Sequence, residues 1–590
     1  METAEKLITE NLDVWTSAIK SKSSAGRGSS KKRELYGVKK LRDLILELAI
    51  RGLLVPQDNA DEPASKLLEK IAKEKVQLVK SGKLKKQKPL PSFEDVDVPY
   101  SVPKGWVWTR IGTIGNIFNG NSISARLKEE KYTGVEGLPF IATKDVSYGF
   151  EALDYENGIA IPVGEEKFKV ATKDSVLICA EGGSAGKKCG LTDRDICFGN
   201  KLFANELHGE IASRFILSVY LSPTFFSAFS RFMTGIIGGI SRSKFATLPC
   251  ALPPLAEQHR IVAKVDELMA LCDQLEQEQE SSLDTHDTLV ATLLGALTTA
   301  TADASQFAEA WQRIQANFDT LFTTESSIAQ LKQTILQLAV MGNLVPQDLE
   351  DEPTEKIIDK LILERTRLIQ EKQIPKAKKL TAPRDNPFAI PSPWCWTQLG
   401  SITHLIEYGT SQKSNDDPSK IPVYRMGDIQ DGSLYDEKLK FVPPGIDDLP
   451  RLFLEPGDIL FNRTNSAELV GKAAIFKGTP NTHTFASYLI RVRVPANFLE
   501  PEFINLCFRA TYFRETQINP EIIQQCGQAN FNGTKLAHTL FPIPPLAEQH
   551  RIVAKVDELM TLCERVKTSL KSAQATQLNL ADSLVEQAIG

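Results

Sequence analysis

Two stretches of this 590-residue chain come near a catalytic signature, and both miss it. Asp385-Asn386-Pro387-Phe388 approaches the Asp/Asn-Pro-Pro-Tyr/Phe tetrad of adenine-N6 methyltransferases but lacks the second proline, and no Phe-x-Gly-x-Gly cofactor loop follows a strand. Gly182-Gly183-Ser184-Ala185-Gly186-Lys187-Lys188 resembles a phosphate loop, yet the pattern needs glycine at 181 and a hydroxyl at 188, where Glu181 and Lys188 stand. The seven histidines lack ligand spacing and form no His-Glu-x-x-His. The nine cysteines contain no Cys-x-x-Cys pair, which argues against zinc or a disulfide framework and fits a reducing cytoplasm. The chain reads as non-catalytic, with no metal or cofactor of its own.

The remaining polar chemistry suits nucleic acid. Sections 113–250 and 401–541 carry loops that mix Asn, Ser, Gly and Tyr with Lys and Arg. Lys and Arg neutralise phosphates, while Asn, Gln and Arg read base edges through paired hydrogen bonds. The candidates in the first section are Asn119, Asn121, Ser122, Lys144, Tyr148, Lys187, Arg242 and Lys244. Those in the second are Tyr408, Ser411, Lys413, Arg425, Arg463, Asn465, Lys472, Asn532 and Lys535. Lys-rich tails at 80–88 and 372–379 lead into these sections, and Lys83, Lys85 and Lys86 suit backbone phosphates. The stretch 21–33, SKSSAGRGSSKKR, reads as a flexible basic loop, either a plain linker or an arm near phosphates.

The elements that position these loops occur twice. Residues 253–272 and 544–563 read PPLAEQHRIVAKVDELM(A/T)LC and differ at one position, Ala270 against Thr561. Apolar residues at three- and four-residue steps predict a long amphipathic helix entered through Pro253-Pro254. Identity extends to the polar face, beyond what packing requires. Either the duplication is recent, or both copies meet the same kind of partner. Glu257, Arg260, Lys264 and their counterparts Glu548, Arg551, Lys555 are therefore the candidate partner-docking residues. A second duplicated block, 41–63 and 331–353, matches at 14 of 23 positions and predicts a helix stopped at Gly52 or Gly342, then an LVPQD turn. A third pair, VPKGWVWTRIG at 102–112 and IPSPWCWTQLG at 390–400, predicts a first strand with both tryptophans on one face, packed into the core.

This order predicts an α+β chain: a helical region with its basic loop (1–98), a mixed domain (99–252), a central helical spacer (253–385), a second mixed domain (386–543) and a closing helix (544–590) that packs with the N-terminal region. If the chain ends meet, they rebuild what the middle already is. The expected result is a circular, pseudo-twofold repeat, with two domains separated by long antiparallel, coiled-coil-like helices. No apolar run reaches the eighteen or so residues of a membrane span, and METAEKLITENLDVW is no signal peptide. A net charge of −5 excludes a uniformly basic binder but not local basic surfaces.

On the YGVKKLRDLILELAIRGLLVPQD block, the P-x-G-W-x-W start and PPLAEQHRIVAKVDELM closing each half, the chain resembles the specificity (S) subunits of type I restriction–modification systems over essentially its whole length. Pro393 departs from that family's usual glycine in the second tryptophan motif. The resemblance implies two target recognition domains, each reading one part of a split, asymmetric DNA site in the major groove. It implies helical spacers that set the unread gap and dock two methyltransferase (M) subunits. It also implies two restriction (R) subunits joining that assembly. S-adenosylmethionine would belong to the M subunits, and ATP and Mg²⁺ to the R subunits. Two other readings are a coiled-coil adaptor that reads no sequence and a single-chain methyltransferase; the missing cofactor loop opposes the latter.

Overall fold

A computed structural model describes the chain except residues 1, 23–31, 83, 85–88, 92–97, 236–237, 300–303, 377–379, 383–384, 526–527 and 590. Lys83, Lys85, Lys86 and most of the basic loop therefore lie outside the described residues. The chain forms two compact units, one of residues 1–282 with 573–590 and one of residues 283–572. Both boundaries fall inside long helices, Leu255–Thr299 of 45 residues and Leu546–Ile589 of 44. The predicted central spacer is thus divided between the units rather than standing as one domain. At 1.5 Å per residue each helix is about 65 Å long.

Each unit builds the same helical frame. In the first, helix Tyr36–Ile50 ends at Arg51-Gly52 and is followed by helix Ala64–Lys80; in the second, helix Glu325–Met341 ends at Gly342 and is followed by helix Thr354–Gln370. Gly52 and Gly342 have φ of 71° and 78°, the left-handed conformation of a helix stop. A Cβ would also strike Pro103 at 2.6 Å or Pro391 at 2.5 Å, so glycine is required twice over at both places. In the first unit the chain ends do meet: Tyr36 donates to Asp582 at 2.8 Å, and Lys40 pairs with it at 2.7 Å.

A further duplicated element escaped sequence comparison. Ile8, Asn11 and Asp13 recur as Ile314, Asn317 and Asp319. Ile8 and Ile314 are buried, and each asparagine amide donates four residues back, to the Leu7 carbonyl (2.9 Å) or the Arg313 carbonyl (2.8 Å). Only the first unit then interposes a hairpin, Ile19–Lys22 against Lys32–Leu35, so the arms of the expected flexible loop are paired strands.

The repeated sequence PPLAEQHR is explained by internal fastenings. Trp106 Nε1 donates to Glu257 at 2.9 Å, and Gln57 donates to the same carboxylate at 2.5 Å. Trp394 and Gln347 hold Glu548 at 3.0 and 2.6 Å. Arg260 pairs with Asp61 at 2.7 Å, and Arg551 with Asp351 at 2.6 Å. Gln258 and Gln549 are fully buried and accept from the Ala212 and Glu500 amides at 3.0 and 2.8 Å. One glutamate therefore joins three duplicated blocks: the LVPQD turn, the tryptophan strand and the long helix. Burial raises the Glu257 and Glu548 carboxyls above the ordinary glutamate range, against the lowering effect of their Gln and Trp donors.

The variable domains share strand order despite their sequence divergence. Each opens and closes on one antiparallel pair, Val107–Arg110 with Pro249–Leu252 and Cys395–Gln398 with Leu540–Ile543. The first domain carries a four-stranded antiparallel sheet in the order Gly115–Asn119, Leu202–Leu207, Val176–Cys179, Cys189–Leu191. The second repeats it as Leu405–Tyr408, Leu489–Arg493, Ile459–Asn462, Ala473–Ile475. A second sheet in each contains one parallel pair, Leu138–Ile141 with Ile196–Phe198 and Ile421–Tyr424 with Thr484–Phe485. Of each Trp-x-Trp, Trp106 and Trp394 face the glutamate, while Trp108 and Trp396 pack on Tyr100 and Phe388 at 4.9 Å, so all four are structural.

Candidate nucleic-acid interface

The loops singled out by composition gather at one end of each variable domain because the parallel pair delivers them there. In the first domain the Asn121 amide bonds the Phe198 carbonyl and the Gly199 amide bonds the Ile141 carbonyl, both at 2.9 Å. Loops 119–124, 141–148 and 199–201 therefore emerge side by side. A Cβ at Gly120 would lie 1.9 Å from the Phe198 oxygen, and one at Gly409 2.3 Å from the Phe485 oxygen. Close backbone approach thus accounts for the glycine shared by Gly120-Asn121-Ser122 and Gly409-Thr410-Ser411 in otherwise diverged sections.

Loop 182–188 joins antiparallel strands Val176–Cys179 and Cys189–Leu191 and opens no helix, so it is a hairpin turn and not a phosphate loop. It reaches the other loops through Ser184, which meets the Tyr148 hydroxyl at 3.2 Å, and Lys188, which donates to the Thr143 carbonyl at 3.1 Å. Segment 238–241 is tied to it by the Gly182 amide on the Gly238 carbonyl at 2.9 Å. The resulting face presents Ser122, Lys144, Tyr148, Lys187, Arg242 and Lys244, all exposed, with Tyr148 at 64 %. Lys188 stands 5.1 Å from the Tyr148 ring, Lys187 5.7 Å from Phe226 and Lys244 5.3 Å from Phe232. These rings support the ammonium groups without neutralising them.

One candidate of this domain is structural. The Asn121 amide nitrogen donates to the Lys167 carbonyl at 3.0 Å, and its oxygen accepts the Lys169 amide at 2.9 Å, leaving no paired edge for a base. Asn119 is half-buried in its strand, where Lys169 donates to its backbone carbonyl at 2.8 Å, which leaves its side chain the candidate read from the sequence. Lys188 is a cation of the same face that its neighbour Lys187 obscured; the doubled Gly-Lys-Lys was the available signal.

In the second domain Ser411, Lys413 and Lys472 are exposed. Tyr408 is 43 % exposed, accepts the Gly533 amide at 2.8 Å and lies 4.9 Å from the Arg463 guanidinium. Arg463 Nε donates to the Ser487 carbonyl at 3.0 Å. Other candidates serve the fold. Arg425 donates to the Lys438 carbonyl at 2.8 Å and lies against Asp428 at 3.5 Å. Asn465 turns on the Ser466 amide at 2.8 Å, Asn532 caps helix Gly533–His538 through the Lys535 amide at 2.9 Å, and Lys535 pairs with Glu521 at 3.0 Å. Short polar side chains in turns bond their own backbone first, which composition cannot distinguish from base reading. Tyr488, 48 % exposed in the turn before Leu489–Arg493, was missed because a single aromatic between two strands reads as core.

The predicted partner-docking set divides in the same way. Glu257 and Glu548 are 1 % exposed and Arg260 and Arg551 are paired inside the chain, so these four fasten the frame instead of meeting a partner. Lys264 pairs with Glu267 and Lys555 with Glu558 along the same helix, each at 2.9 Å. His550 lies 3.3 Å from Glu500. Among the described residues no cluster of three or more His, Cys, Asp or Glu could hold a metal ion, and no helix is long and apolar enough to cross a membrane.

The model of the type I restriction modification DNA specificity domain matches residues 103–285 and 391–573, one match per variable domain with the start of its following helix. The type I restriction enzyme EcoAI specificity subunit of Escherichia coli is 39 % identical over 603 aligned positions, covering 99 % of this chain and 99 % of that protein. The EcoEI specificity subunit of Escherichia coli is 35 % identical over 601, again covering 99 % of both. Among solved structures, the HsdS subunit from Thermoanaerobacter tengcongensis aligns over 84 % of this chain and 99 % of its own, at 18 % identity and a TM-score of 0.39.

Proposed function

This chain belongs to the type I restriction–modification specificity-subunit family, and from that premise we propose how it works: each variable domain reads one part of a split, asymmetric DNA site. The observation that carries the reading is one strand order, fastened identically at Glu257 and Glu548, bearing two different sets of exposed loop residues. Identical frames give both domains the same way of meeting a duplex, and different loops give them different bases.

In the first domain Lys144, Lys187, Lys188, Arg242 and Lys244 contact phosphates and base edges around Tyr148. In the second Lys413, Lys472 and Arg463 do so around Tyr408 and Tyr488. The long helices set the unread gap; one DNA turn is about 34 Å, within the reach of either helix. The subunit is non-catalytic, and it acts in the cytoplasm by docking two M subunits and two R subunits. Lys264 and Lys555 contribute to the M-docking face. S-adenosylmethionine serves adenine methylation in the M subunits, and ATP with Mg²⁺ serves cleavage in the R subunits.

The test is methylation mapping. The chain is expressed with its cognate M subunit in a methylation-free host, and modified bases are located across the genome. One split motif with two unlike parts and a fixed gap is expected. No modified base from a demonstrably assembled complex would sink the reading.

A further inference from the structure

A cavity of about 320 Å³ opens in the second unit between helix Thr354–Gln370, the segment Gly400–Tyr408 and helix Gly533–His538. Its charged or titratable lining residues besides Tyr408 are Arg365, Lys376, His404 and His538, and no carboxylate lines it. Arg365 uses Nη1 on the Ser401 carbonyl at 3.0 Å, but its Nε is buried without a partner. The His404 amide bonds the Arg493 carbonyl at 2.8 Å, while its ring Nε2 is likewise buried and unpartnered. Glu364, whose charge reaches His404, is held by Arg367 at 2.9 Å. His538 is engaged by the Thr534 carbonyl at 2.8 Å and the Thr381 amide at 3.4 Å. Buried donors without acceptors are costly, and an anion between them removes that cost. Burial also lowers both the Arg365 and His404 pKa values, and for His404 the charge of Arg365 adds to that lowering against the opposing charge of Glu364.

The first unit differs at the matching place. Lys75 stands where Arg365 does, and its ammonium donates to the Gly112 and Thr113 carbonyls at 3.0 and 3.3 Å, the counterparts of Gly400 and Ser401. The guanidinium with its unpartnered Nε is thus particular to the second unit, while the first has a buried ring nitrogen without a partner, His208 Nε2, beside Lys75. Tyr408, at the rim, connects the cavity to the candidate DNA face.

We propose that this cavity seats one phosphate group, held by Arg365 and His404 with Lys376 at its side. The phosphate is either a backbone phosphate of bound DNA or a free inorganic or nucleotide phosphate. The first source rests on the DNA-reading role proposed above; binding of free phosphate does not.

The full chain is titrated with inorganic phosphate by calorimetry, and the complex with its M subunit is titrated with a cognate duplex over a range of salt. Two variants accompany the wild type. Arg365→Lys carries the residue of the first unit and is expected to fold normally, with its ammonium turned onto the carbonyls as Lys75 is. His404→Phe fills the space. Saturable phosphate binding by the wild type, weakened by about tenfold or more in both variants, supports the site and a free-anion source when the DNA salt slope stays unchanged. A slope reduced by about 0.9 in both variants supports a backbone phosphate. Absence of saturable phosphate binding together with unchanged slopes in variants of unaltered thermal midpoint overturns the proposal. A DNA-reading failure with phosphate binding intact would show as loss of the motif alone.

Discussion

The two variable domains differ at the centre of the four-stranded sheet that each builds in the same order. In the first, Ala204 lies between Phe118 and Leu177, and the interior is apolar. At the matching register of the second, Arg491 lies between Glu407 and Leu460. Arg491 is 1 % exposed, pairs with Glu407 and donates to the Phe453 carbonyl at 2.7 Å. Beside it Asp458, fully buried, accepts both arms of Arg493 at 2.6 Å; the first domain has Ser175 there. Burial lowers the Arg491 pKa to about 10. The same topology thus tolerates a hydrocarbon centre or an ionic one. What the fold demands is the strand pairing and the fastenings at its base, which leaves the interior free to be rebuilt as the loops change.

The largest expected effect comes from breaking the ionic centre on one side. Asp458→Ala leaves two arginines without their shared acceptor and should cost about 3–5 kcal/mol, whereas Ser175→Ala should cost under about 1.5 kcal/mol. Thermal unfolding of the full chain compares them, and equal losses would contradict the contrast. Next, Glu257→Ala and Glu548→Ala each strand a tryptophan N–H and a glutamine amide. Each should cost about 2–3 kcal/mol, and a marked inequality between the two would mean that the fastenings are not equivalent.

A third effect is smaller and depends on pH. Because the folded-state carboxyls of Glu257 and Glu548 are raised, the stabilisation linked to them is full below the ordinary glutamate range and is lost as pH rises through the raised values. Denaturant midpoints measured from acid to neutral pH should therefore fall less in Glu257→Gln than in the wild type. Converting Glu407 and Arg491 together to Met should change stability by under about 1 kcal/mol or increase it; a large loss would show that the ionic centre is the better-packed one. Last, replacing Lys83, Lys85 and Lys86 by Ala should reduce the salt slope of DNA binding by up to about 0.9 per lost contact while leaving the methylated motif unchanged. An altered motif would make these lysines base readers.

Where two copies could be compared, the sequence was legible: Gly52 with Gly342, Trp106 with Trp394 and Glu257 with Glu548 all marked fixed points of the frame. What those residues touch was less legible. The polar face of the long helix suggested an outside partner, because the LVPQD turn and the tryptophan strand that receive Glu257 lie about 150–200 positions away in the chain. Candidate base readers were the least legible. Asn121, Asn465 and Asn532 carry the chemistry of a base contact, and each applies it to a nearby backbone group. The recurrence of Ile8, Asn11 and Asp13 went unseen because three matched positions in ten are too few to register before the folded environment shows that they do the same thing.

The pairing of Val107–Arg110 with Pro249–Leu252 has a consequence for heredity. Each variable domain leaves the frame next to where it enters, with Val107 opposite Leu252 and Cys395 opposite Ile543. A gene crossover within the near-identical stretches that follow, joined to one in the duplicated blocks that precede, replaces a whole domain between two adjacent chain positions. The incoming domain meets the same glutamate, glutamine and arginine as the one it displaces. New specificities can then arise by shuffling intact domains, with no intermediate generation that must fold around a half-changed core.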